Sequence, residues 1–187
     1  MKLLPASIVA LLIALPAYGA DSYTIDTRHT FPRWQVSHFG FSTHHGQFNK
    51  TSGKLFLDSA TGSGSVEVSV DTASIDTGDP TLEVRLRSAD FFDVDKYPTM
   101  TFKSKPFATK AALPINVEGE LTLLGMTRPL TLQVAHFKCG AHPIAKKDAC
   151  GAEIMATLKR SEYGMKYGIP ALGDEVRITI QFEAVKD

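Results

Sequence analysis

What this chain has little of narrows its function before any motif does. It has no surplus of charge: 20 Lys and Arg face 20 Asp and Glu, and the pI is near 7.0. With no basic excess over the whole molecule, there is no electrostatic case for holding nucleic acid or an anionic membrane. A partner would be recognised by shape and apolar area. Nucleophile chemistry is equally thin, since no G-x-S-x-G elbow surrounds Ser88, Ser161 or any other serine. The glycine-rich "SATGSGS" runs into a strand, so no helix N-terminus is offered to a phosphate. "DVDKYP" lacks the glycine and terminal glutamate of a calcium loop. His38, His44 and His45 have no carboxylate or cysteine at a supporting spacing, and His44 and His45 read as loop residues. Neither a metal nor a cofactor is expected.

Long apolar runs are absent too, except at the start. "MKLLPASIVALLIALPAYGA" has one lysine, an apolar stretch and then small residues at Ala17, Gly19 and Ala20. That is the layout of a secretory leader, cleaved after Gly19 or Ala20. The stretch is short and proline-interrupted for a membrane span, and no lipid-accepting cysteine follows it. The expected organisation is therefore a signal peptide over 1–20 and one domain over 21–187, in the periplasm, without a stable membrane anchor. Losing Lys2 leaves the remainder at a net charge of about −1.

Cysteine is nearly missing. Cys139 and Cys150, in "FKCGAHPIAKKDACGAE", are the two in the chain. In an exported protein such a pair reads first as a disulfide, here closing a short solvated loop and contributing roughly 3 kcal/mol in the chain-entropy model. The alternative is a metal held by both cysteines with His136 or His142, but the spacing fits no zinc pattern.

What the chain does have is alternation. "SVEVSVDT" sets Val66, Val68 and Val70 against Glu67, Ser69 and Asp71, and "VRITIQFEA" sets Val176, Ile178, Ile180 and Phe182 against Arg177, Thr179, Gln181 and Glu183. "KLFLDS", "TMTFKSK", "PLTLQVAHF" and "EIMATLKR" repeat the pattern less strictly, with turn chemistry between them. Period two over so many segments means an all-β domain of about eight antiparallel strands, each with one buried and one wet face. A sandwich or a closed barrel would hide the edges. In "FPRWQVSHFGF", Trp34, Val36 and His38 share a face opposite Arg33, Gln35 and Ser37. Phe102, Leu121, Leu123, Leu132, Val134 and Ile154 fall on the more apolar faces of their strands. Parity alone favours a solid core made of these residues. "GDPTLEVRLRSADFFD" stays ambiguous: it alternates from Leu82 to Leu86, yet Asp79-Pro80 is a helix start.

"HFGFSTHHGQFNKTSGKL", "LRSADFFDVDKYPTMTF", "GELTLLGMTRPLTL" and "SEYGMKYG" occur in the order seen in the YceI-like family, which the chain resembles along essentially its whole length after the leader. The resemblance implies an extended lipocalin-like barrel with one short helical segment, ending around Ser88–Phe92, that encloses an apolar channel for an isoprenoid or similar lipid. It thereby favours a hollow interior over a filled one. It also implies a ligand-binding lining of Trp34, Val36, His38, Phe102, Leu121, Leu123, Leu132, Val134 and Ile154. A lipid carrier is the function implied, with a polyisoprenoid, quinone or fatty-acyl chain as partner. The alternatives are an enzyme acting on such a lipid through His38 or Tyr163, or a secreted interaction protein with a filled barrel. Arg85 stands where the family often has histidine. Arg85 or Arg87 at the barrel mouth would suit a phosphate or carboxylate head group, although Arg87 and Asp90 would most simply pair with each other or bond nearby backbone.

Overall fold

The computed structural model describes residues 19–109 and 115–187. The leader reading falls on residues that lie outside these, apart from the two small residues at its end. Apart from Leu82–Leu86, the alternating segments are strands: β1 (Asp21–Ile25), β2 (Phe31–His38), β3 (Ser42–Phe48), β4 (Thr51–Asp58), β5 (Ser63–Asp71), the short β6 (Ile75–Asp76), β7 (Thr99–Ser104), the short β8 (Phe107–Ala108), β9 (Ile115–Leu123), β10 (Met126–Ala141), β11 (Asp148–Lys159) and β12 (Leu172–Lys186). Every pairing is antiparallel, in the order β1-β4-β5-β7-β9-β10-β11-β12, and β1 also pairs with β12. Those eight strands form a closed barrel.

One strand position in the ring is split. β1 lies along Ala184–Lys186 of β12, and β2 lies farther along the same strand, from Gln181 to Leu172. Residues 26–30 turn between them. At the β1 level the neighbour on the other side is β4; at the β2 level it is β3, and β3 continues only to the two-residue β6. The barrel is therefore tight at one end and splayed at the other, where a helix and a corner complete the wall.

That helix is α1 (Pro80–Arg87). Its sequence signals work as written: the Asp79 carboxylate accepts from the Thr81 and Leu82 N–H groups, and Pro80 opens the first turn. Glu83 accepts from Thr77 N–H and also holds Arg87 one turn on, at 3.1 Å. Leu82 and Leu86 face inward onto Phe48, Val70, Ile75, Phe91 and Met165, a cluster under the helix and distinct from the main barrel core. The corner that follows is hydrogen-bonded back on itself, Phe92 N–H to Leu86 O and Tyr97 N–H to Asp93 O. Fully buried Thr72 then donates to Tyr97 O.

Cys139 and Cys150 are bonded. The loop that they close, with a sequence separation of 11, already has a paired ladder at its base. They face each other across β10 and β11, and both strands run two residues past the bridge before the turn. A metal at this pair is excluded because both sulfurs are used in the bridge, while His142 Nδ1 accepts from the Ile144 and Ala145 N–H groups.

Candidate functional site

The interior of the barrel is not filled. It holds a cavity of about 350 Å3, within the range of small-molecule sites. An apolar cavity less than half that size already stays dry and accepts apolar guests. All nine positions read from strand parity, namely Trp34, Val36, His38, Phe102, Leu121, Leu123, Leu132, Val134 and Ile154, stand on its wall. So do Val66, Val68 and Val70, and Val176, Ile178, Ile180 and Phe182. The outward positions between them carry Glu67, Glu118, Glu120, Gln133 and Arg177, the reverse of the apolar outer band of a membrane-spanning barrel. Among the described residues no helix is long and apolar enough to cross a membrane.

Parity put these side chains inside but favoured a solid core. Three glycines help explain why the core is hollow. The Trp34 indole lies against Gly46 on the paired strand, where a Cβ would come within 2.4 Å of the ring. Phe102 lies against Gly119 in the same way, with a Cβ there 2.4 Å from its ring, and Phe107 against Gly64 at 2.9 Å. With no side chain on the neighbouring strand, each ring lies back against the wall, and the lumen stays open. Phe137 joins the wall because a bulge between Val134 and His136 resets the parity of β10.

Where the barrel splays, the wall is not sheet: Leu82, Arg85, Leu86, Phe91 and Phe92 come from α1 and its corner. Arg85 and Tyr167, exposed side chains that also line the cavity, locate the mouth here. Arg85 lies 4.6 Å above the Tyr167 ring and pairs with Asp90 at 2.8 Å. Of the two expectations for Arg87, pairing with Asp90 or bonding nearby backbone, the second holds, and Asp90 pairs with Arg85 instead. Arg87 turns away from the cavity, donating to Ala73 O, Ile75 O and Glu83. Arg85 lines the cavity, and Arg87 is not among the side chains on its wall.

His44 and His45 belong to β3, not to a loop. The His44 ring stacks on His38 at 3.9 Å, and both line the cavity. Burial, together with the neighbouring His38 and His45, pushes the His44 pKa below the usual imidazole value. Tyr163, the other polar candidate, is fully buried and off the cavity wall, and burial raises its phenol pKa.

Arg160 is the residue that parity did not single out. Only 4% exposed, it donates to Gly173 O, Met165 O, Tyr167 O and Leu172 O. It thereby fixes the segment that carries Met165, Tyr167 and Leu172 to the mouth. A strand ending in a basic residue looks ordinary in sequence; only the folded loop shows four carbonyls converging on it. Burial lowers its pKa and Asp174 works the other way. Outside the cavity, Asp26, His29 and Glu183 bring ligand-type atoms within 4.8 Å of one another, and His29 already bonds Asp26 at 2.9 Å.

A closed antiparallel barrel with an apolar lumen and a helix-flanked mouth defines the lipocalin-like class of binding scaffolds. Within that class the chain belongs to the YceI-like domain family, whose model matches residues 23–184. It is 38% identical to a UPF0312 protein of Vibrio cholerae over 146 residues, covering 76% of this chain and 77% of that one. A UPF0312 protein of Pseudomonas aeruginosa is 33% identical over 180 residues, covering 95% and 93%. The crystal structure of Burkholderia cenocepacia BcnA superposes with a TM-score of 0.72 at 26% identity, covering 85% of this chain and 98% of that one. A polyisoprenoid binding domain from Saccharophagus degradans, implicated in plant cell wall breakdown, shares the fold with a TM-score of 0.66 at 17% identity, covering 88% and 98%.

Proposed function

We propose that this protein is an exported, periplasmic carrier or scavenger that holds a long-chain apolar lipid, of polyisoprenoid, quinone or fatty-acyl type, inside its barrel. The observation that carries the reading is the cavity of about 350 Å3 walled by apolar side chains from all round the barrel. A chain that buries a dozen methylenes there recovers about 10 kcal/mol of hydration cost. A bilayer offers the same refuge, so exchange between the two is near balance and needs no energy source. Arg85 at the mouth suits an anionic or carbonyl head group. The name of the Saccharophagus degradans domain, a polyisoprenoid binding domain, agrees with a chain of this kind.

Native mass spectrometry, followed by organic extraction of the protein purified from its host, tests this directly. A co-purifying lipid is expected, along with displacement of a fluorescent fatty acid. Absence of both results would overturn the carrier reading, and a lipid returned chemically altered would favour an enzyme. In the same assay Trp34→Glu and Phe102→Glu should abolish uptake, because each buries a carboxylate in the lumen. Gln35→Glu, on the opposite face of β2, should not. Equal effects from all three would mean that uptake does not occur in this cavity.

A further inference from the structure

Arg85 at the mouth already has a partner, since Asp90 holds it at 2.8 Å. Two other ionisable side chains at the same end have none. His38 closes β2, His44 stands opposite Val36 on β3, and both are half-buried on the cavity wall. Their rings stack at 3.9 Å, with 14° between the planes. Among the described residues no hydrogen bond or ion pair reaches a nitrogen of either ring. Nor are these nitrogens sealed in: the buried side-chain atoms without a partner are Trp34 Nε1 and Thr51 Oγ1. Leu172 joins the pair to the rest of the opening. It pairs with His38 across the strands, and its N–H bonds Gly168 O, next to the Tyr167 ring under Arg85.

Among the described residues no carboxylate stands on the cavity wall, whose ionisable side chains are Arg33, His38, His44, Arg85, Arg160 and Tyr167. Arg33 reaches Gln47, and Arg160 donates to four carbonyls. The acids of the neighbouring elements are engaged away from the wall. Asp79 caps α1, Glu83 holds Arg87, Asp174 accepts from Ser161, and Glu175 lies 3.4 Å from Arg177. Asp93, Asp95 and Lys96 of the corner, and Glu162 and Lys166 after β11, are off the wall as well. The charges that act on His44 are those of His38 and His45, and with burial they favour its neutral form. An anion beside the pair would reverse that preference.

We infer that the stacked His38–His44 pair is the head-group site of the lumen, and that it selects a long-chain carboxylic acid whose carboxylate binds together with one proton taken up by the pair. The inference rests on the carrier reading and names the ligand within it. The carboxylate accepts from imidazole N–H groups, and the proton turns these into charge-assisted bonds. A second proton is disfavoured, because it would set like charges 3.9 Å apart. A neutral quinone or alcohol gains no such pairing, and a phosphate head brings more charge than one proton offsets. Affinity for the acid therefore falls as pH rises through the imidazole range, and falls again below about pH 4, where the ligand's own carboxyl is protonated.

The test is titration of delipidated protein with a fluorescent fatty acid and with its methyl ester, between about pH 6 and pH 8. The acid is expected to bind about tenfold more tightly at the lower pH, and the ester equally at both. Calorimetry in two buffers of different ionisation enthalpy should show proton uptake with the acid and none with the ester. His38→Gln/His44→Gln should abolish both the preference for the acid and its pH dependence. His45→Gln, on the outward face of β3, should keep both. Should the double variant fail to fold, the acid–ester comparison and the calorimetry on wild type still decide. Several results would overturn the inference: acid binding that ignores pH, an ester that follows the same slope, no proton uptake, an unchanged slope in the double variant, or an alkyl phosphate that binds more tightly than the acid. In all of these the carrier reading stands. Failure to take up acid and ester alike would overturn the carrier reading and this inference with it.

Discussion

Gly46, Gly64 and Gly119 matter because of what lies over them. The glycine at 46 leaves the space that the Trp34 ring occupies, so Gly46→Ala should turn the indole into the lumen. Overpacking of this kind costs about 1–3 kcal/mol. The expected outcome is a roughly tenfold loss of fatty-acid affinity, with a shift in the emission of Trp34, the sole tryptophan of the chain. Fluorescence titration reads both, and unchanged affinity would show that the ring does not set the volume of the lumen. Inward positions were legible in the sequence because side chains in a strand alternate faces regardless of register. The glycine partners were not, because which glycine faces Trp34 or Phe102 depends on strand register, and no local pattern encodes that. Arg160 was hidden for the same reason, as its four acceptors come from the loop and from the start of β12. Arg160→Met should destabilise the protein by about 3 kcal/mol, measured by denaturant unfolding, because the carbonyls lose a charged donor.

At the scale of elements, α1 takes the place of a strand. Its start was readable because Asp-Pro is a local signal that acts through the backbone of the same turn. Its role as wall was not, since that follows from β3 having only the two residues of β6 beside it. Asp79→Ala should cost about 1 kcal/mol of stability through the lost cap. Hydrogen exchange would show the loss concentrated in residues 80–87, beside an unaltered β9–β10 pair. If exchange rose uniformly, the helix would be unfolding only together with the barrel. The disulfide was legible from the cysteine count and the expected leader, but its surroundings were not: a bridge between facing strand residues ties a ladder that is already paired. Its removal should therefore matter less than the loop model's roughly 3 kcal/mol.

For the whole molecule, the fold class, the hollow interior implied by the family resemblance and part of the lining were accessible from sequence. The splayed end was not, because it arises from one strand position being shared between β1 and β2. That end should also be sensitive to acid. Burial alone would raise the Asp174 pKa, but hydrogen bonds from the Ser161 N–H and hydroxyl, with the nearby Arg160 charge, outweigh it and hold the carboxyl below its usual value. A carboxylate with a depressed pKa contributes stability that is complete above the ordinary value and is lost as pH falls through the folded one. Exchange protection around Ser161 should therefore decline below about pH 4, and Asp174→Asn should flatten that dependence. The closing seam carries a different consequence. β12 pairs with β11, β2 and β1, and the contact between Thr24 and Asp187 spans 163 positions. Pairing so distant in sequence is entropically late and slow. The barrel cannot become a ring until its final strand has been synthesised, so a nascent chain carries the future lumen as an open, sticky trough that chaperones have to shield.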